Sequence, residues 1–235
     1  MSTPDFVFPA HPPVTLPIDG SKQRFPVHRI YCVGRNYAEH AREMGFDPDR
    51  DPPFFFQKNP DALIEPGTGV EAIFPYPSAS KDVHHEIELV AVLGKGGRDI
   101  PAGNALDCVF GYAVGLDMTR RDLQGLAKKN GRPWEVGKAF DHSAPCSAIV
   151  PAAKIGHVAA GAIWLDVNGV RKQTGDVADL IWKVPEIIAA LSALWELKPG
   201  DVVFTGTPAG VGPVVRGDVM AGGVTGVATV RAIVA

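Results

Sequence analysis

The sequence has few cysteines, no long apolar run and no concentration of positive charge. Its three cysteines, Cys32, Cys108 and Cys146, are far apart and form no C-x-x-C pair, which argues against a zinc or disulfide framework and favours a reducing compartment. No apolar run approaches the roughly 20 residues needed to cross a bilayer, and the N-terminus lacks the charged-then-apolar order of a signal peptide. We therefore expect a soluble cytoplasmic protein.

Several other classes of function lack their sequence signals. The formal net charge is −3 and no run of Lys and Arg exceeds two residues, so a nucleic-acid partner is not expected. The G-x-S-x-G elbow of a serine hydrolase is absent. The glycine-rich stretch at 205–213 has neither the G-K-[ST] ending of a phosphate loop nor the following helix of a dinucleotide-binding fold. With 235 residues, 46% of them hydrophobic, the chain can bury a large core in one domain or two small ones.

Two acidic residues interrupt an otherwise aliphatic run at 84–94. The composition of this run predicts a strand that ends at glycine, and side chains two apart on a strand point to the same side. Glu86 and Glu88 would therefore share one face. Two carboxylates in an apolar environment repel each other and are costly to desolvate unless a cation is present. For the pair alone, an exposed strand end remains the alternative.

A third carboxylate, Asp117, ends another predicted buried strand. Together with Glu86 and Glu88 it would offer three hard oxygen ligands, which suit Mg²⁺ or Mn²⁺ better than Zn²⁺. His84 and His85 leave zinc as the alternative, although no third His or Cys has a fitting spacing.

A short helix predicted at 35–45 carries His40 and Glu43, which are three residues apart and lie on one face. A carboxylate beside a histidine orients the ring and raises its basicity, as a general base acting on water requires. A surface His–Glu pair is the alternative. Lys58 follows an aromatic strand and is placed to meet an anionic ligand, and Lys138 lies between a glycine and an aromatic residue.

The remaining pattern predicts a mostly β protein of the α+β class. A helix is predicted at 119–130, capped by Thr119 and carrying Arg121 and Gln124. A hairpin is predicted at 163–173, with its turn at Asn168-Gly169. A core helix is predicted at 185–195, followed by two short strands at the end of the chain. The glycine-rich loop at 205–213 exposes backbone N–H groups that suit an anion. Residues 1–25 are rich in proline and form either a packed arm or a loose tail.

Five motifs in this order resemble the fumarylacetoacetate hydrolase family. They are Gly34-Arg35-Asn36-Tyr37 with His40 and Glu43, His85-Glu86-Ile87-Glu88, Leu116-Asp117-Met118-Thr119 with Arg121-Asp122, Gly137-Lys138, and Thr205-Gly206-Thr207-Pro208 with Gly210-Val211-Gly212. The resemblance covers residues 26–235 as one catalytic domain and leaves residues 1–25 as an N-terminal arm. It implies a mixed β-sandwich roll with short helices and a lid helix, a homodimer, and Mg²⁺ or Mn²⁺ as cofactor.

The resemblance also implies roles for particular residues. The metal ligands would be Glu86, Glu88 and Asp117. The catalytic residues would be His40 and Glu43 on the lid, together with Lys138, which would stabilise negative charge. The substrate-binding residues would be Arg35, Lys58, Arg121, Gln124 and Thr207. Arg120 stands where the family usually has a small residue, which leaves open which of the two arginines points inward.

Within the family, the chain is most similar to the small acylpyruvate hydrolases, in particular bacterial ones acting on fumarylpyruvate in gentisate-type aromatic degradation. The expected reaction is metal-dependent hydrolysis of a C–C bond in a β-diketo acid, giving fumarate and pyruvate. The alternatives are a general acylpyruvase or oxaloacetate decarboxylase, a related hydroxy-dienedioate isomerase, and a binding or structural protein whose carboxylates only hold a metal.

Overall fold

The computed structural model describes residues 5–39, 51–65 and 71–235. In these ranges the chain is mostly β, with short helices, as predicted. The α-helices are α1 (Arg121–Lys129), α2 (Glu135–Lys138), α3 (Ala152–Ile155) and α4 (Val184–Leu194). The strands are β1 (Thr15–Pro17), β2 (Arg24–Pro26), β3 (Ile30–Gly34), β4 (Phe54–Lys58), β5 (Leu63–Ile64), β6 (Ala72–Phe74), β7 (Val83–His85), β8 (Ile87–Leu93), β9 (Val109–Leu116), β10 (Thr119–Arg120), β11 (Ala144–Pro145), β12 (Val150–Pro151), β13 (Ala162–Val167), β14 (Val170–Asp176), β15 (Val202–Phe204), β16 (Gly212–Val214), β17 (Val219–Val224) and β18 (Ala228–Val234).

Two large mixed sheets form the body of the fold. One has six strands in the order β12-β9-β8-β15-β3-β4, and the other has five in the order β14-β13-β17-β18-β6. Strands β13 and β17 pack against β8, and β18 packs against β9. The inward side chains of both sheets belong to one hydrophobic cluster, so the predicted sandwich-like arrangement is confirmed.

Strand β8 lies in the middle of the core and is buried on both faces, as its aliphatic sequence predicts. Leu89 belongs to the cluster shared with the five-stranded sheet. Val90 and Val92, on the opposite face, belong to a second cluster that includes Leu16 and Phe25 from the N-terminal hairpin of β1 and β2. The N-terminal segment therefore covers the outer face of the larger sheet from residue 14 onward. The division of domains at residue 25 stays a prediction.

A three-stranded sheet, β10-β7-β16, lies where the site forms. The predicted continuous strand at 84–94 is instead broken at Glu86, because β7 pairs with β10 and β16 while β8 pairs with β9 and β15. Thr119 was expected to cap the following helix. It belongs to β10 instead, and α1 begins at Arg121 without a side-chain cap.

Other sequence predictions hold. Strands β13 and β14 form the predicted hairpin, with Asn168 and Gly169 at positive φ of 52° and 78°, as a two-residue turn of this type requires. Helix α4 packs its apolar side against the 3-10 helix Ala102–Cys108. Among the residues that the structure describes, no helix is long and apolar enough to cross a membrane.

Candidate active site

Three buried carboxylates converge where strands of the six-stranded sheet run into the three-stranded sheet. Glu86 lies at the break between β7 and β8, Glu88 lies on β8, and Asp117 follows β9. Each offers a carboxylate oxygen, and these oxygens lie within 4.8 Å of one another. The chain thus brings together three hard oxygen ligands that could hold a Mg²⁺ or Mn²⁺ ion, which confirms the predicted type of metal site. The pair His84 and His85 is not part of this cluster: their ring nitrogens contact Asp82 and Gln173.

Two buried lysines neutralise these carboxylates. Lys138 Nζ, on α2, donates to Glu86 Oε2 at 2.8 Å, Asp117 Oδ2 at 2.6 Å and Thr119 Oγ1 at 2.7 Å. Burial alone would lower the pKa of Lys138, but Asp117 and Glu86 outweigh it and the pKa is raised. Lys138 is therefore an ammonium ion whose three protons are all engaged by the protein.

Lys58, at the end of β4, approaches Asp117 from the other side. Its Nζ lies 2.8 Å from Asp117 Oδ1 and donates to Ser143 Oγ at 2.9 Å and to the carbonyls of Met118 and Lys138. The side chain is fully buried and does not line the pocket. The structure therefore places Lys58 behind a metal-ligand candidate, whereas the sequence pointed to contact with an anionic ligand.

The surroundings of Glu88 disfavour its charged form. Burial, together with the charges of Asp117 and Glu86, raises its pKa well above the ordinary value. Gly206 N donates to Glu88 Oε2 at 2.7 Å. This N–H of the glycine-rich loop therefore binds a carboxylate of the protein itself. Gly206 has φ of 102°, and a Cβ there would lie 2.7 Å from Asn36 Cβ, so only glycine lets the loop approach this closely.

Helix α1 presents Arg121 and Gln124 to the pocket, as their spacing of three residues predicts. Arg121 Nη2 donates to Glu86 Oε1 at 2.5 Å, and its Nη1 donates to Gln124 Oε1 at 2.7 Å. Arg120 lies with its guanidinium 4.3 Å from the centre of the Phe140 ring. The structure thus resolves which arginine points inward: it is Arg121.

Thr207 lines the same pocket and is held by a residue that the sequence analysis missed, Gln173 on β14. The fully buried Gln173 amide donates through Nε2 to Thr207 Oγ1 at 2.8 Å and to the Pro208 carbonyl at 2.9 Å. Its Oε1 accepts from Ile87 N at 3.1 Å and His85 Nδ1 at 2.9 Å. Because Thr207 Oγ1 accepts from this amide, its own proton is available to a ligand. No sequence spacing links Gln173 to Thr207, since they meet only through the fold.

Two further pocket residues, Lys128 and Trp134, were also missed. Lys128 Nζ lies 4.7 Å from the centre of the Trp134 ring, and the Arg35 guanidinium lies 5.9 Å from the same ring. Trp134 packs edge-on against Phe54, at 4.8 Å between ring centres. The signal for Lys128 was present in the sequence: Arg121, Gln124 and Lys128 follow the i, i+3, i+7 spacing of one helix face.

The predicted general base is His40, with Glu43 as the carboxylate that orients it. The described chain reaches Glu39 and resumes at Asp51, so His40, Glu43 and the expected lid helix lie outside the described residues. Arg35, which precedes them, lines the pocket as expected and has a positive φ of 59°.

The chain is similar in sequence and in structure to known enzymes. The chain is 54% identical to the fumarylpyruvate hydrolase of Pseudomonas aeruginosa, solved in complex with Mn²⁺ and pyruvate, with a TM-score of 0.94 covering 98% of this chain and 100% of that one. It is 48% identical over 177 residues to a fumarylpyruvate hydrolase of Ralstonia sp (75% of this chain, 90% of the relative). It is 44% identical over 201 residues to the mitochondrial oxaloacetate decarboxylase of Dictyostelium discoideum (86% of this chain, 90% of the relative).

The model of the fumarylacetoacetate (FAA) hydrolase C-terminal family matches residues 29–235. This match spans all five motifs on which the sequence prediction rested, and that prediction is confirmed. The chain belongs to the fumarylacetoacetate hydrolase family.

Proposed function

We propose that this protein is a metal-dependent hydrolase that cleaves a C–C bond of an acylpyruvate, with fumarylpyruvate as the substrate. The observation that carries the proposal is the convergence of Glu86, Glu88 and Asp117 in one pocket with donors for an anionic substrate. The similarity to two fumarylpyruvate hydrolases over most of the chain supports the choice of substrate.

The donor set fits a hard divalent cation. All three residues are acidic and buried, and their oxygens are close enough together to share one ion. Glu86, Glu88 and Asp117 would hold Mg²⁺ or Mn²⁺, and the bound ion would supply positive charge that polarises the 2-oxo acid end of the substrate.

The protein side chains then orient the substrate and handle its charge. Arg121, Gln124 and Thr207 offer donors to the 2-oxo acid end. Lys138 would stabilise the negative charge that develops on the attacked carbonyl, for which it must give up at least one of its three present hydrogen bonds. His40, oriented by Glu43, would take a proton from the attacking water. The C–C bond then breaks toward pyruvate as its enolate, and protonation gives pyruvate and fumarate.

A second candidate is oxaloacetate decarboxylation. The identity of 44% with an oxaloacetate decarboxylase over 86% of this chain favours it. The same donors would serve, because loss of CO₂ from oxaloacetate also leaves the enolate of pyruvate. A place in gentisate breakdown, a homodimeric assembly and a cytoplasmic location stay predictions.

The test follows the loss of enol absorbance of fumarylpyruvate, with acetylpyruvate and oxaloacetate in parallel, each with Mg²⁺ or Mn²⁺ and with a chelator. We expect metal-dependent turnover that strongly favours fumarylpyruvate. Faster turnover of oxaloacetate would move the function to the second candidate. No metal-dependent turnover of any of the three would refute the hydrolase.

A further inference from the structure

The pocket extends along helix α1 beyond the groups assigned to the 2-oxo acid. Arg121, Gln124 and Lys128 lie on one face of this helix and all line the pocket. Arg121 and Lys128 are seven positions apart, which corresponds to about 10 Å of axial rise. That separation is comparable to an extended seven-carbon diacid such as fumarylpyruvate, and it exceeds the length of the four-carbon diacid oxaloacetate.

Lys128 differs from the other pocket lysine in its partners. Lys138 is paired with Glu86 and Asp117. Within residues 5–39, 51–65 and 71–235, the Lys128 ammonium has no carboxylate or hydrogen-bond partner, and its contact is with the Trp134 ring. Partial burial removes hydrating water from the ammonium group, and without an anionic partner the protein does not offset this desolvation free energy. This position therefore favours an anionic ligand.

Resting on the proposed function, we propose that Lys128 is a specificity-determining residue that binds the second carboxylate, at the far end of a dianionic acylpyruvate. Trp134 and Phe56, which line the same pocket, provide a flat apolar wall for the conjugated segment between the two ends. A substrate without the second carboxylate, such as acetylpyruvate, makes no use of Lys128.

The electrostatic surroundings of Lys128 agree with this role. Burial, followed by the charges of Arg121 on its own helix and Arg35 after β3, lowers the pKa of Lys128 to about 8; Lys138 on α2 acts in the same direction and Glu86 opposes it. Lys128 is therefore charged below that pH and loses its proton above it. The preference for a diacid is expected to decline as the pH rises through about 8, because the cation that binds the second carboxylate is then lost.

The test uses a pair of unreactive ligands, so that it does not depend on turnover. 2-Oxoheptanedioate and 2-oxoheptanoate have the same chain length and differ only in the second carboxylate. Their dissociation constants are measured by calorimetry on the Mn²⁺-loaded protein. We expect the wild type to bind the diacid about 10–150-fold more tightly, since a charge-assisted hydrogen bond contributes roughly 1.5–3 kcal/mol.

The variants separate charge from structure. Lys128→Met, which keeps the length and removes the charge, is expected to bring the ratio close to one, whereas Lys128→Arg keeps the preference and removes its decline near pH 8. Lys129→Met is the matched control, because Lys129 is the exposed neighbour on the same helix, and it is expected to keep the wild-type ratio.

Two results would overturn the inference: equal binding of the two acids by the wild type, or an undiminished diacid preference in Lys128→Met. Failure of the proposed function is a separate outcome. A protein that turns over no acylpyruvate but shows the Lys128-dependent preference would refute the hydrolase and keep the diacid site.

Discussion

Replacing Lys58 with Met tests whether this lysine holds Asp117 in place or contacts substrate. The Lys58 ammonium is completely buried, lies 2.8 Å from Asp117 Oδ1 and has three further oxygen partners. Methionine fills a similar volume but leaves the carboxylate without this partner. Removing one member of a buried ion pair costs about 3–5 kcal/mol. Asp117 Oδ2 would keep Lys138 at 2.6 Å, and Oδ1 would be the buried oxygen that loses its charged partner.

For a chain of this length, such a loss corresponds to a fall in melting temperature of roughly 6–20 °C. The assay is thermal and urea unfolding followed by circular dichroism, without metal. Lys198→Met is the control, since Lys198 forms an exposed ion pair with Glu196 at 3.5 Å and pairs of this kind contribute about 0–1 kcal/mol. The double variant Lys58→Met/Asp117→Asn is expected to lose less than the sum of the two single changes, because it removes both charges.

If Lys58→Met unfolds within about 1 kcal/mol of the wild type, as the surface control does, the structural reasoning is wrong. A raised KM for acylpyruvates at unchanged stability would instead support the role that the sequence first indicated, contact with the substrate. The melting curve and the kinetic constants thus separate the two roles of one residue.

Two other changes test the metal ligands and the support of Thr207. Glu88→Gln is expected to weaken Mn²⁺ binding in calorimetry by at least about 10-fold, and unchanged affinity would remove Glu88 from the ligand set. Gln173→Leu deletes an amide with four hydrogen-bond partners, so we expect a loss of about 3 kcal/mol in unfolding experiments together with a raised KM for fumarylpyruvate. A loss of stability at unchanged KM would show that Gln173 supports the fold without positioning Thr207.

The elements with strong local signals could be predicted from the sequence. The Asn168-Gly169 turn requires positive φ at both residues, and both have it. The aliphatic run after Glu86 forms a fully buried strand, and the three acidic residues at strand ends meet as predicted. In each case a short-range preference and the tertiary structure agree.

The misassignments arose where tertiary pairing overrode local preference. Thr119 is a good capping residue, but here its hydroxyl accepts from Lys138 and donates to Glu86 Oε1 at 3.2 Å. The break at Glu86 follows from strand partners that are remote in sequence. The position of Lys58, behind Asp117 and outside the pocket lining, depends on the side from which β4 approaches, and no sequence periodicity indicates that side; its contact with substrate stays a prediction. Side-chain direction at a site made by several sheets is therefore the part that sequence patterns leave open.

The charges around the carboxylates argue against a protein in which a metal only holds the fold together. Lys58, Lys138 and Arg121 bring three positive charges to Glu86 and Asp117, while burial and these two neighbouring carboxylates raise the pKa of Glu88. A site balanced by its own side chains does not require a divalent cation in order to be buried. A divalent cation held by these residues would have to compete with Lys138 for oxygens of Glu86 and Asp117, which would free an ammonium group that lines the pocket. The arrangement is therefore better suited to exchanging ligands during a reaction than to a permanent structural metal.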